Sequence, residues 1–111
     1  MQLSITEQDD IVKISIEEER MDAHNSGDLK EQMLQLFDEG KCNLMIDLSS
    51  VRFIDSSGLG ALVSGFKNAS AREGSLKLCC LQPQVRSMFE LTRLHRVFEI
   101  FPTQEEALNS F

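Results

Sequence analysis

The sequence contains no tryptophan or tyrosine, only two prolines, and no excess of positive charge. Its seven phenylalanines are the only aromatic residues, which predicts an interior of aliphatic side chains and phenylalanine. The formal net charge of −7 argues against nucleic-acid binding, because nucleic-acid binders need a basic stripe that neutralises phosphates. An anionic membrane surface would repel the same charge. We therefore expect the partners to be proteins or small molecules.

Signals for export or membrane insertion are also absent. Residues 1–10 read MQLSITEQDD and contain no basic segment followed by an apolar run, so they do not resemble a secretory signal. No apolar run comes near the length of about 20 residues that a membrane-spanning helix needs. We expect a cytoplasmic protein with a single domain over residues 1–111, because this length suits one hydrophobic core.

The cysteines are few and irregularly placed. Cys42, Cys79 and Cys80 are odd in number and two of them are adjacent, which is a poor disulfide framework. Their spacing matches no zinc motif. We expect reduced, buried thiols, and we predict neither a metal site nor a cofactor.

Hydrophobic periodicity predicts strands and helices that alternate along the chain. Apolar and polar residues alternate on either side of the polar turn at 8–10, which predicts a β-hairpin over the first 16 residues. A polar loop is expected over 17–26. Further strands are predicted at 43–48, 76–81 and 97–101, and helices at 28–39, 57–73, 83–92 and after Thr103. This order predicts an α/β fold with a mixed, mostly parallel β-sheet, an antiparallel N-terminal edge and about four α-helices packed against it.

The stretch RFIDSSGLGALVSG, residues 52–65, places two serines between an aspartate and two glycines. A serine-hydrolase elbow needs a glycine two residues before and two residues after its serine, and neither Ser56 nor Ser57 has both. A phosphate-binding loop is not predicted either, because Val63 stands where the third glycine would be. We expect no catalytic residue, and we expect Asp55 or one of the serines to cap the helix that follows.

That helix has an unusual surface. One predicted face is the core face and carries Leu59, Leu62, Val63, Phe66 and Ser70. The opposite face is small and uncharged, and carries Ser57, Ala61, Ser64, Asn68 and Ala71, with Gly60 and Gly65 beside it. An exposed face usually carries charged residues, and each glycine costs about 1 kcal/mol relative to alanine. We interpret this face as a docking surface with a hydroxyl at its entrance; the alternative is a helix buried on both sides.

The segment NLMIDLSSVRFIDSSGLGALV, residues 43–63, resembles the signature of anti-sigma factor antagonists, the bacterial STAS domains. The resemblance extends over essentially the whole chain and includes LKLCCLQPQVRSMFELTRLHRVFEIFPTQEEAL. It implies the STAS fold and a partner switch. In such a switch, the unmodified antagonist binds a serine kinase of the histidine-kinase-like ATPase type that is also the anti-sigma factor, and a sigma factor is released. Phosphorylation reverses this binding, and a PP2C-type phosphatase resets the antagonist.

The resemblance also implies which residues act. Ser56 occupies the position of the phosphorylated hydroxyl, and Asp22 matches an aspartate that the family places in a loop near it. Together with the helix face, this predicts a partner-binding set of Asp22, Asp55, Ser57, Gly58, Gly60, Ala61, Ser64 and Asn68. The protein is expected to be a monomer or weak dimer. The sequence departs from the family at residues 19–22. The family often has a glycine at the first of these positions, where this chain has Glu19. The loss of that glycine changes the loop beside the motif.

Two other functions stay open on the sequence alone. A STAS-type domain can act as a scaffold or subunit of a signalling or transport complex, with no dependence on Ser56. A nucleotide-binding module can use a helix start as its anion site.

Overall fold

The computed structural model describes residues 1–111 and contains seven strands and four α-helices. The strands are β1 (Leu3–Gln8), β2 (Ile11–Ile16), β3 (Arg20–Met21), β4 (Asn43–Asp47), β5 (Phe53–Ile54), β6 (Ser75–Cys79) and β7 (Glu99–Phe101). The helices are α1 (Ser26–Asp38), α2 (Ser56–Ala71), α3 (Pro83–Leu91) and α4 (Gln104–Asn109). A turn of 3₁₀-helix precedes β7. None of these helices has the length and apolar content needed to cross a bilayer.

Five of the strands form one sheet in the order β1-β2-β4-β6-β7. β1 and β2 are antiparallel, and every other neighbouring pair is parallel. The hairpin turn consists of Asp9 and Asp10, both with positive φ (52° and 67°), a geometry that matches the right-handed twist of the strands. The predicted α/β class, the antiparallel edge and the four helices are therefore confirmed.

The two faces of this sheet differ in what covers them. Side chains such as Ile14 and Ile46 point to one face and join α1, α2 and α3 in a core of 22 buried residues. Alternate residues such as Met45 and Cys79 point to the other face and pack against Ala107 of α4. Phenylalanine packing, as predicted, contributes to the larger core. The Phe66 and Phe98 rings pack edge to face, with 5.3 Å between their centroids.

One buried lysine joins the sheet to the C-terminal segment on the α4 side. The Lys77 ammonium donates to the Ser110 carbonyl oxygen at 2.7 Å and lies 3.1 Å from a Glu99 carboxylate oxygen. The buried charge is thus both hydrogen-bonded and paired, as a buried charge must be to avoid a large desolvation penalty.

The prediction of a plain loop over 17–26 is wrong in one respect. Arg20 and Met21 form β3, which pairs in parallel with Phe53 and Ile54 of β5 as a separate two-stranded sheet. A strand this short has no periodicity of its own, so the local sequence does not reveal it. This small sheet holds the loop before α1 against the segment that leads into α2.

Gly74 lies where the chain leaves α2 and passes close to Cys42. A β-carbon at this position would lie 2.1 Å from the Cys42 carbonyl oxygen, a backbone atom that cannot move aside. We expect Gly74→Ala to lower the free energy of unfolding by about 1–3 kcal/mol, measured by urea denaturation. Gly27→Ala is the matched control, because no atom lies within 4 Å of its β-carbon and stability should be kept or raised. Equal stability of the two variants would contradict this account.

Candidate functional site

Ser56 is the first residue of α2 and its side chain is exposed. The preceding residue, Asp55, adopts an extended conformation and caps the helix, because its Oδ1 accepts a hydrogen bond of 2.9 Å from the Gly58 N–H. Of the three side chains that were candidates for the cap, Asp55 therefore fills the role. The Ser56 hydroxyl is left at the surface, at the positive end of the helix dipole.

The small β3–β5 sheet brings Asp22 to the same edge. The Asp55 N–H donates to the Met21 carbonyl oxygen at 3.1 Å, so Asp22 follows directly after the residue that holds Asp55. The Asp22 carboxylate accepts from the His24 N–H at 2.9 Å and lies 3.6 Å from Arg20 Nε. It thus stabilises its own loop while lying beside the start of α2.

Gly58 has a packing reason to be glycine. A β-carbon there would lie 2.6 Å from the Met21 carbonyl oxygen and 2.7 Å from a carbon of the Ile54 side chain. The missing side chain lets the first turn of α2 lie directly on the ends of β3 and β5. Gly58 is buried, so it supports the site without being part of its surface.

The predicted docking face of α2 is only partly at the surface. Ala61 is 1% exposed, and it lies on a buried stripe of small residues formed by Gly58, Ala61, Gly65 and Ala69. This stripe serves close packing within the domain: a β-carbon at Gly65 would be 2.6 Å from Met33 Sδ of α1. The expectation that Ala61 faces solvent is wrong. Ser70, placed on the core face by the same helical wheel, is exposed.

The true outer face is rotated toward the side on which Ser56 lies. Ser56 and Gly60 are exposed, and Ser57 and Ser64 are half-buried. We call these four residues the α2 surface. A β-carbon on Gly60 would meet no atom within 4 Å, so the fold itself does not require glycine there. The Asn68 side chain is less available to a partner, because its amide donates a hydrogen bond of 2.9 Å to the Ser64 carbonyl oxygen.

A groove of about 290 Å³ runs beside Ser56 between β5 and α3. It is lined by residues 52–56 together with Gln84 and Met88. Phe53 is 43% exposed, and the Arg20 guanidinium carbon lies 4.2 Å above its ring. Phe53 was not singled out by the sequence analysis. The signal for Phe53 was its place next to the buried Ile54, because neighbouring strand residues point to opposite sides.

Comparison with known proteins decides the family. A family model described as the STAS domain matches residues 2–107. The chain belongs to the STAS domain family. The family and the fold predicted from residues 43–63 are therefore confirmed.

Curated STAS relatives carry regulatory names. An anti-sigma F factor antagonist of Paenibacillus polymyxa is 27% identical over 99 residues, which cover 88% of this chain and 82% of the relative. An anti-sigma-B factor antagonist of Bacillus subtilis is 33% identical over 85 residues, 77% of each chain. Among solved structures, an anti-sigma factor antagonist from Mycobacterium paratuberculosis superposes with a TM-score of 0.87 at 24% identity, over 98% of this chain and 92% of that one. The superposition establishes the shared STAS fold.

The Asp55 cap can be tested without any partner. We expect Asp55→Ala to lower the free energy of unfolding by about 1 kcal/mol, because the Gly58 N–H loses its acceptor. Asp55→Asn should retain most of the stability, since an asparagine oxygen caps equally well. Urea denaturation of both variants measures the difference. If the Asp55→Ala protein is as stable as the unmodified one, the capping role of Asp55 is contradicted.

Proposed function

We propose that this protein is an anti-sigma factor antagonist that is switched by phosphorylation of Ser56. The observation that carries the proposal is the exposed Ser56 hydroxyl at the start of α2, beside the small side chains of Ser57 and Ser64 and the bare Gly60, with the capping role already filled by Asp55. The names of the curated relatives support the same function. The unmodified protein binds an anti-sigma factor and thereby releases a sigma factor.

The partner we propose is a serine kinase of the histidine-kinase-like ATPase type. The γ-phosphoryl group passes from ATP to Ser56 Oγ, the hydroxyl proton leaves, and ADP is released. A PP2C-type phosphatase later hydrolyses the phosphoester and restores the hydroxyl. The chain itself supplies no catalytic group in this scheme. Asp22 acts by holding its loop beside Asp55, so that the kinase meets a fixed surface around Ser56.

The phosphate changes binding rather than fold. It adds about −1.5 to −2 charges at a helix N-terminus, where the dipole and the first-turn N–H groups favour an anion. Ser56 is exposed, so no core residue has to move. A partner docked on the α2 surface would instead have to desolvate the new charge next to the Asp55 carboxylate, which lowers its affinity.

Substitutions of Ser56 test the switch. With the cognate kinase and ATP, intact-mass analysis should give one added phosphate on the unmodified protein and none on Ser56→Ala. Ser57→Ala is the matched control and should still gain one phosphate. In calorimetric titrations against the kinase, Ser56→Ala should bind as the unmodified protein does, and Ser56→Asp should bind at least about ten-fold more weakly, or about 1.4 kcal/mol.

The switch is contradicted if Ser56→Asp binds the kinase as tightly as the unmodified protein. If neither Ser56→Ala nor Ser56→Asp changes the affinity for the kinase, the result would favour the scaffold function instead.

An arginine on the α2 surface tests where the partner docks. Gly60→Arg adds a long side chain into open space, so the fold should be retained while kinase binding weakens at least about ten-fold. Asn109→Arg places the same side chain on an exposed position of α4, on the far side of the sheet, and should leave binding unchanged. Calorimetry measures affinity, and circular dichroism checks the fold. Loss of binding in Asn109→Arg but not in Gly60→Arg would move the interface away from α2.

A further inference from the structure

We propose that Asp47, Cys79 and Cys80 form a zinc-binding site on the sheet face covered by α4. These residues come from the ends of two neighbouring parallel strands: Asp47 ends β4, and it is the register partner of Cys79, which ends β6. One carboxylate oxygen and the two sulfur atoms all lie within 4.8 Å of one another. The site is thus assembled by the sheet and has no linear spacing motif.

The backbone at Cys80 departs from the strand in a way that completes the cluster. Successive residues of a strand point to opposite faces, so a continued β6 would send the Cys80 thiol away from Cys79. Cys80 instead has a φ of +65°, in the left-handed region that side chains rarely adopt. Both thiols therefore lie beside Asp47. A left-handed non-glycine residue of this kind is often found where function requires a particular side-chain placement.

The charge balance of the cluster favours a cation. Asp47 is 7% exposed, and its carboxylate accepts hydrogen bonds from the Ser49 N–H, at 2.8 Å, and from the Gln104 side-chain amide. No lysine, arginine or histidine forms an ion pair with it. Lys77, two residues before Cys79 on the same strand, is instead engaged by Glu99 and Ser110. A buried carboxylate without a positive partner is a site that a metal ion would neutralise.

The donor atoms select zinc over other common cations. Thiolate sulfur and carboxylate oxygen are zinc ligands, whereas magnesium and calcium prefer oxygen alone. Tetrahedral zinc with Zn–S bonds of about 2.3 Å places its sulfur ligands about 3.8 Å apart, a spacing compatible with two sulfur atoms that lie within 4.8 Å of each other. Gln104 would orient the carboxylate through its amide, in the manner of residues that support metal ligands. A water molecule would fill the fourth position.

The thiols must give up their protons to bind the metal. Burial raises the pKa of Cys79 and of Cys80, and the Asp47 carboxylate raises both further. Both sulfurs are therefore thiols without the metal, and each releases its proton to solvent as its bond to zinc forms.

Cobalt is the spectroscopic probe for this site. The full chain, fully reduced, is titrated with Co²⁺ and then with Zn²⁺. We expect a thiolate-to-cobalt charge-transfer band that saturates at one cobalt per chain and disappears when Zn²⁺ is added. Zinc should also raise the midpoint of thermal unfolding, because it binds the folded state.

Three variants locate the ligands. Cys80→Gly suits the left-handed backbone, keeps the fold and should abolish the charge-transfer band. Asp47→Asn should weaken zinc binding by about ten-fold or more. Cys42→Ser is the matched control, because Cys42 is outside the cluster, and it should bind metal as the unmodified protein does. The absence of the band in the unmodified protein, its persistence in Cys80→Gly, or its loss in Cys42→Ser would each overturn the proposal. No kinase enters the test, so its outcome is independent of the proposed function.

Discussion

The start of α2 depends on two hydrogen bonds that Asp55 makes in opposite directions. Its backbone N–H donates to Met21 of β3, and its side chain accepts from Gly58 in the first turn of the helix. The first bond ties the motif to the loop that carries Asp22, and the second fixes where the helix begins. Ser56, between these anchors, is therefore presented at a defined place while its own hydroxyl stays at the surface.

The small residues of α2 serve two separate needs. Gly58 and Gly65 let the helix approach β3, β5 and α1 closely, and Ala61 is buried with them on the same stripe. Gly60 has no such neighbour and is exposed, so its lack of a side chain is not required by packing. The buried inner stripe thus supports an outer surface whose first turns carry small side chains. A charge added to that surface can alter what docks there without disturbing the core.

The sequence predicted the elements with clear periodicity or strong turn signals. The hairpin and the four helices are present because their patterns are local. The β3 strand was missed because its two residues are a strand only through their pairing with Phe53 and Ile54, which the local sequence does not show. Leu59 and Leu62 of α2 are buried as predicted, but Ala61 was placed on the outer face because alanine is compatible with both burial and exposure. The residues that pack against the helix, Met33 of α1 and Met21 of β3, decide which of its small residues are buried.

The most direct measurement is an amide NMR titration of isotope-labelled protein with its kinase, before and after phosphorylation. Our account predicts that phosphorylation shifts only the signals around residues 55–60, that the kinase perturbs the α2 surface of the unmodified protein, and that this perturbation is lost in the phosphorylated form. Shifts spread through the five-stranded sheet on phosphorylation, or kinase contacts confined to the α4 side, would contradict it.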